Sequence, residues 1–95
     1  MTKEELHKAY LNGCEVQNKK LKEISSFLET TLINRLNKGY KTSEIFKIFS
    51  YDREKISHKQ IRSYLKIKFK GYPIKIGYYY FPHEPPYYWL IYTGD

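Results

Sequence analysis

The chain has one cysteine, Cys14, in 95 residues. A lone thiol excludes an internal disulfide and suits a reducing compartment; Cys14 reads as a small packing residue. With no cysteine pair and three scattered histidines, metal-ligand spacing is absent, so no metal or other cofactor is expected. Long hydrophobic runs are missing too: none approaches the roughly 18 apolar residues of a membrane span. The N-terminus, Met-Thr-Lys-Glu-Glu-Leu6, lacks the apolar core of a secretory signal. A cytoplasmic protein with no membrane association is expected. No glycine-rich phosphate loop occurs. Catalytic groupings are also missing. His7 and His83 have no sequence partner, Glu4 and Glu5 suit the first turn of a helix, and Ser57 beside His58 is accounted for as a helix cap. The chain is not expected to be an enzyme.

What is present is charge, unevenly spread. The formal net charge is +7. Residues 1–51 carry 9 Lys/Arg against 6 Asp/Glu, residues 52–75 carry 8 against 2, and residues 76–95 carry none against 2. Most of the excess therefore falls on one stretch, as a phosphate-binding surface requires. A merely solvated Lys-rich face is the alternative. Apolar residues make up 41% of the chain, enough for one small folded domain over residues 1–95.

The basic stretch, Ile56–Ile74, reads as a helix with a marked start and stop. Ser57 is an N-cap, and Gln60 completes a capping box. Ile56 and Ile61 have the spacing of a hydrophobic staple. Gly71 closes the helix and Pro73 prevents its continuation. Ile61, Tyr64, Leu65 and Phe69 form a buried stripe, which leaves Lys59, Arg62, Ser63, Lys66 and Lys70 facing outward.

Before it, Thr2 to Glu5 is a second capping box. It opens a short helix that Gly13 is expected to break, although one glycine costs only about 1 kcal/mol against alanine. Leu21, Ile24, Leu28, Leu32 and Leu36 mark a helix from about Lys19 to Lys38, stopped at Gly39. Thr42 or Ser43 is expected to cap another short helix carrying Ile45, Ile48 and Phe49, with residues 50–55 as a turn. After Gly71 the period changes to two. Ile74, Ile76, Tyr78 and Tyr80 alternate with Lys75, Gly77, Tyr79 and Phe81, and Tyr87–Tyr92 reads as the returning strand. Between them, Pro82-His-Glu-Pro-Pro86 is a stiff tip without a cation. The expected class is α+β. It has an N-terminal helical extension (1–18), a helical core (19–70) and a C-terminal hairpin (71–95), with three to four helices in all.

Specific residues resemble those of winged helix-turn-helix DNA-binding domains of bacterial and phage regulators and replication proteins. Ile56-Ser57 and Gln60-Ile61-Arg62 look like the start of that family's recognition helix. Gly71-Tyr-Pro-Ile74 looks like its junction into the wing, and Tyr88-Trp-Leu90 is similar to the wing's last strand. The resemblance covers roughly residues 21–92. It implies sequence-specific binding of double-stranded DNA, with the helix entering the major groove. His58, Lys59, Arg62 and Ser63 would lie at or near base edges, with Arg62 suited to guanine. Lys66, Lys70, Lys75, Arg53 and Lys55 would meet phosphates. A homodimer through the N-terminal helix is a further expectation.

The aromatics leave other functions open. Tyr78, Tyr79, Tyr80, Tyr87, Tyr88, Trp89 and Tyr92 could stack single-stranded bases. Alternation instead places half of them in the core and half in an outer patch. Such a patch makes Tyr79, Tyr87 and Trp89 candidates for protein contact, for example in a phage protein that inhibits a host or defence protein.

Overall fold

The computed structural model describes residues 1–47, 56–82 and 85–94. Its class is α+β. The first helix, α1, runs unbroken from Lys3 to Asn37. Thr2 caps it by accepting the Glu5 backbone N–H at 3.1 Å. The expected break at Gly13 does not occur, since the penalty of one glycine is spread over a 35-residue helix with no proline. At 1.5 Å per residue α1 is about 52 Å long, and it sets the 56 Å long dimension of the molecule. Only its second half enters the core: Leu21, Ile24, Ser25, Leu28 and Leu32 are buried, and no residue before Leu21 is.

After the turn at Gly39 the chain pairs with a strand instead of starting a helix. A short strand β1, Phe46–Lys47, follows an isolated bridge between Thr42 and Ile91. The reason lies in Ser43. Its hydroxyl, expected to cap a helix, accepts the Leu90 N–H at 2.7 Å, and its own N–H donates to the Leu90 carbonyl at 2.9 Å. Among the described residues there are thus two helices, not three to four. Ile48, Phe49 and the turn expected over residues 50–55 lie outside the described residues, as do His83 and Glu84 of the tip.

The second helix, α2, spans His58–Lys68, and its capping box is complete. The Gln60 N–H donates to Ser57 Oγ at 3.1 Å, and the Ser57 N–H donates to Gln60 Oε1 at 2.8 Å. Gly71 takes φ +86°, a conformation that a side chain would strain, and turns the chain into the sheet.

Two strands complete the fold: β2, Ile74–Tyr79, and β3, Tyr87–Tyr92. They pair antiparallel, with Ile76 opposite Leu90 and Gly77 opposite Trp89. β1 joins the other edge of β3, giving the order β1-β3-β2. The inner face carries Tyr88 and Leu90, both fully buried, against Leu28 of α1 and Ile61 and Leu65 of α2. Ile74, Ile76, Tyr92 and Phe46 pack around them. Helix α2 thus packs into one core shared by α1 and the inner face of the sheet. No helix among the described residues is long and apolar enough to cross a membrane.

Candidate nucleic-acid interface

The helix α2 buries one side and offers the other. Ile61, Leu65 and the C-cap Phe69 are buried. At about 100° per residue, Lys59, Ser63 and Lys66 share an arc of about 60° on the far side; all three are exposed, as is Lys70 in the turn that follows the helix. No Asp or Glu occurs between Ile56 and Pro82. The arc is thus cationic and free of internal ion pairing on its own element.

Arg62 sits at the edge of this arc, half-buried, with its guanidinium over the Tyr78 ring at 4.3 Å. Stacking occupies the face of the guanidinium and leaves its N–H edge to donate. The side chain is held in one place without losing its donors, as bidentate reading of a base requires.

The start of α2 is tied to the hairpin by an aromatic cluster. Tyr88 Oη lies 2.5 Å from His58 Nδ1. The imidazole also stacks on Tyr80, with centroids 4.5 Å apart and planes 15° apart, and tilts against Tyr78 at 5.4 Å. Burial, and secondarily the charge of Arg62, lower the His58 pKa below its ordinary 6.5. A neutral ring is then the natural acceptor for the phenol proton at Nδ1. Sequence reasoning assigned His58 to base edges; the fold turns its Nδ1 toward β3.

The sequence-derived residues thus fall into three groups. Lys59, Arg62, Ser63 and Lys66 come together on α2, and Lys70 lies in the turn just past its C-cap. Lys75 does not join them: it alternates with Ile74 and Ile76 and lies on the outer face of the sheet. Arg53 and Lys55 lie outside the described residues. Residues sequence reasoning missed as a unit are Tyr88, Tyr80 and Tyr78 around His58. The only signal for them was strand parity, since Tyr78 and Tyr88 are cross-strand partners.

Tyr79, Tyr87 and Trp89, the protein-contact candidates, share the outer face with Lys75 and Ile91. The Trp89 indole lies across Gly77, so close that a Cβ added there would stand 2.1 Å from Trp89 Cε2. Gly77 is what allows the ring to lie flat on the sheet. Among the described residues no cluster of three His, Cys, Asp or Glu could hold a metal ion.

Comparison with family models of known proteins, with curated proteins and with solved structures gave no significant match.

Proposed function

We propose that the protein is a winged helix-turn-helix module that binds duplex DNA sequence-specifically, as a regulator or replication accessory does, with α2 as its recognition helix and the hairpin as its wing. The observation that carries this reading is the acid-free arc of Lys59, Ser63 and Lys66 on α2, with stacked Arg62 beside it and Lys70 in the turn that follows. A helix of this width, cationic outward and anchored by Ile61 and Leu65 behind, suits a major groove. Lys59, Lys66 and Lys70 bind phosphates in this scheme, and Arg62 reads a base. Selection from a random duplex pool followed by anisotropy titration across salt tests it. Each of the three lysines changed to Ala reduces the salt slope by about 1. Arg62→Ala costs about 1–3 kcal/mol on the selected site and relaxes one position. No enrichment from the pool, or an affinity indifferent to salt, refutes the reading.

A second reading has its own observation. Tyr79, Tyr87 and Trp89 form an aromatic outer face on the side of the sheet away from the core. That face suits docking of a protein partner, as in a winged-helix inhibitor of a host protein. Under it, changing Tyr79 and Trp89 abolishes partner retention while Arg62→Ala does not.

A further inference from the structure

A cavity of about 350 Å³ opens where the last turns of α1, the turn after α2 and the start of β2 come together. One side of it is α1: Glu29, Leu32, Ile33 and Leu36 are spaced by threes and fours and so share a helix face. The other side is Phe69 and Tyr72, whose rings meet edge to face with centroids 6.5 Å apart. Gly71 makes that pairing possible. At φ +86° it brings the Tyr72 N–H back to the Phe69 carbonyl at 3.1 Å. Leu32 and Phe69 are buried and form the floor, with Ile74 and Tyr92 half-buried beside them. Ile33 and Tyr72 are exposed and stand at the mouth, as do Glu29 and Lys68. Among the described residues, Glu29 is the only acid and Lys68 the only cation that line the cavity. No ion pair joins the two or ties either to another described residue.

We propose that this cavity binds a free aromatic amino acid, with its ring on the apolar floor, its ammonium at Glu29 and its carboxylate at Lys68. Three features select that class. The volume lies near the lower end of clefts that hold small molecules, about 300–1,000 Å³, which suits a single residue and not a peptide. The wall is aromatic, and Tyr72 offers its ring to another one. The mouth carries both signs of charge, unpaired. An apolar acid would set its carboxylate near Glu29 without compensation, and an apolar amine would do the same at Lys68. Only a molecule with both charges beside one apolar group satisfies both side chains. The inference does not rest on the DNA reading; where both hold, the bound molecule buttresses the turn that carries Lys70.

Amide chemical-shift titration of the full chain with L-phenylalanine tests it. Saturable shifts are expected at Ile33, Phe69, Tyr72 and Ile74, with a dissociation constant of roughly 1 mM for a ligand of about 12 non-hydrogen atoms. Hydrocinnamate, which lacks the ammonium, and phenethylamine, which lacks the carboxylate, each bind about fivefold more weakly. Glu29 and Lys68 are exposed, so their replacement leaves the fold intact. Glu29→Gln weakens L-phenylalanine about fivefold but does not weaken hydrocinnamate. Lys68→Gln weakens L-phenylalanine by about the same factor but does not weaken phenethylamine. No saturation at these amides up to about 20 mM L-phenylalanine overturns the proposal. Shifts confined to Tyr79, Tyr87 and Trp89 of the outer face overturn it as well, and so does binding that neither variant changes.

Discussion

Tyr88→Phe tests whether the hairpin holds the start of α2. Tyr88 is fully buried, and its hydroxyl reaches His58 Nδ1 at 2.5 Å. Phenylalanine keeps the ring, so the packing against Leu65 and Leu90 stays filled and only the hydroxyl is removed. The lost hydrogen bond is worth about 0.5–1.5 kcal/mol net. Nδ1 then lacks its partner in a half-buried ring wedged against Tyr80, which raises the cost to about 1–2 kcal/mol. In a domain of this size 1 kcal/mol moves Tm by about 4–8 °C, so thermal unfolding followed by circular dichroism should show a fall of about 4–16 °C. Binding should weaken as well, because Arg62 rests on Tyr78 in the same cluster. The salt slope should not change, because no cation has been removed. A Tm within about 1 °C of wild type would refute the clamp. A change in salt slope would show that the arc itself had moved.

Gly77→Ala should shift the emission of Trp89, the chain's one tryptophan, because the indole must leave a position that Cβ would occupy. Overpacking of this kind costs about 1–3 kcal/mol, offset by about 0.5–1 kcal/mol from replacing a strand glycine; unchanged fluorescence and Tm would contradict the close approach. His58 makes stability depend on pH with a definite sign. Its native pKa lies below the unfolded 6.5, so the unfolded chain takes up the proton first. The contribution is therefore complete above pH 6.5 and is lost as pH falls toward and through the native value; His58→Gln should flatten the Tm profile there, and an unaltered profile would assign the titration elsewhere. Leu28→Ala, at a fully buried position facing the sheet, should destabilise by about 2–5 kcal/mol in urea, whereas Leu6→Ala, on the projecting segment, should leave the urea midpoint of a monomeric sample within about 0.5 kcal/mol.

What could be read from the sequence was what neighbouring residues decide among themselves. The capping box at Ser57 and Gln60, the glycine exit at Gly71 and the stripe of Ile61, Tyr64, Leu65 and Phe69 depend on spacings of a few residues; all formed, with Tyr64 only half-buried at the stripe's edge. The failures were non-local. Ser43 has the same local character as Ser57, but Leu90 lies within its reach, 47 residues away, so it bonds a strand instead of capping a helix. The two residues of β1 are too few to reveal a period, and their strand exists because β3 offers an edge. Gly13 did not break α1 because its neighbours on both sides were already helical. At the candidate interface, the arc on α2 was legible from helical spacing. The bond from Tyr88 to His58 spans 30 residues, and no local pattern announces it.

Strand β3 divides the molecule's surfaces by parity. Tyr88, Leu90 and Tyr92 face the helices: the first holds His58, and the others fill the core. Tyr87, Trp89 and Ile91 face outward with Tyr79 and Lys75. A slip of one residue in register would exchange the two sets, sending Trp89 inward and leaving His58 without its phenol. The pairings of Ser43 with Leu90 and of Thr42 with Ile91 oppose that slip from the other edge of β3. The short β1 segment thus supports the register that sets Tyr88 against the start of α2. Substitutions at even positions of β3 should change both stability and DNA affinity, while those at odd positions should change only what binds the outer face. If Trp89→Ser lowered DNA affinity as much as Tyr88→Phe in the same anisotropy assay, the outer face would belong to the DNA interface, and the separation by parity would fail.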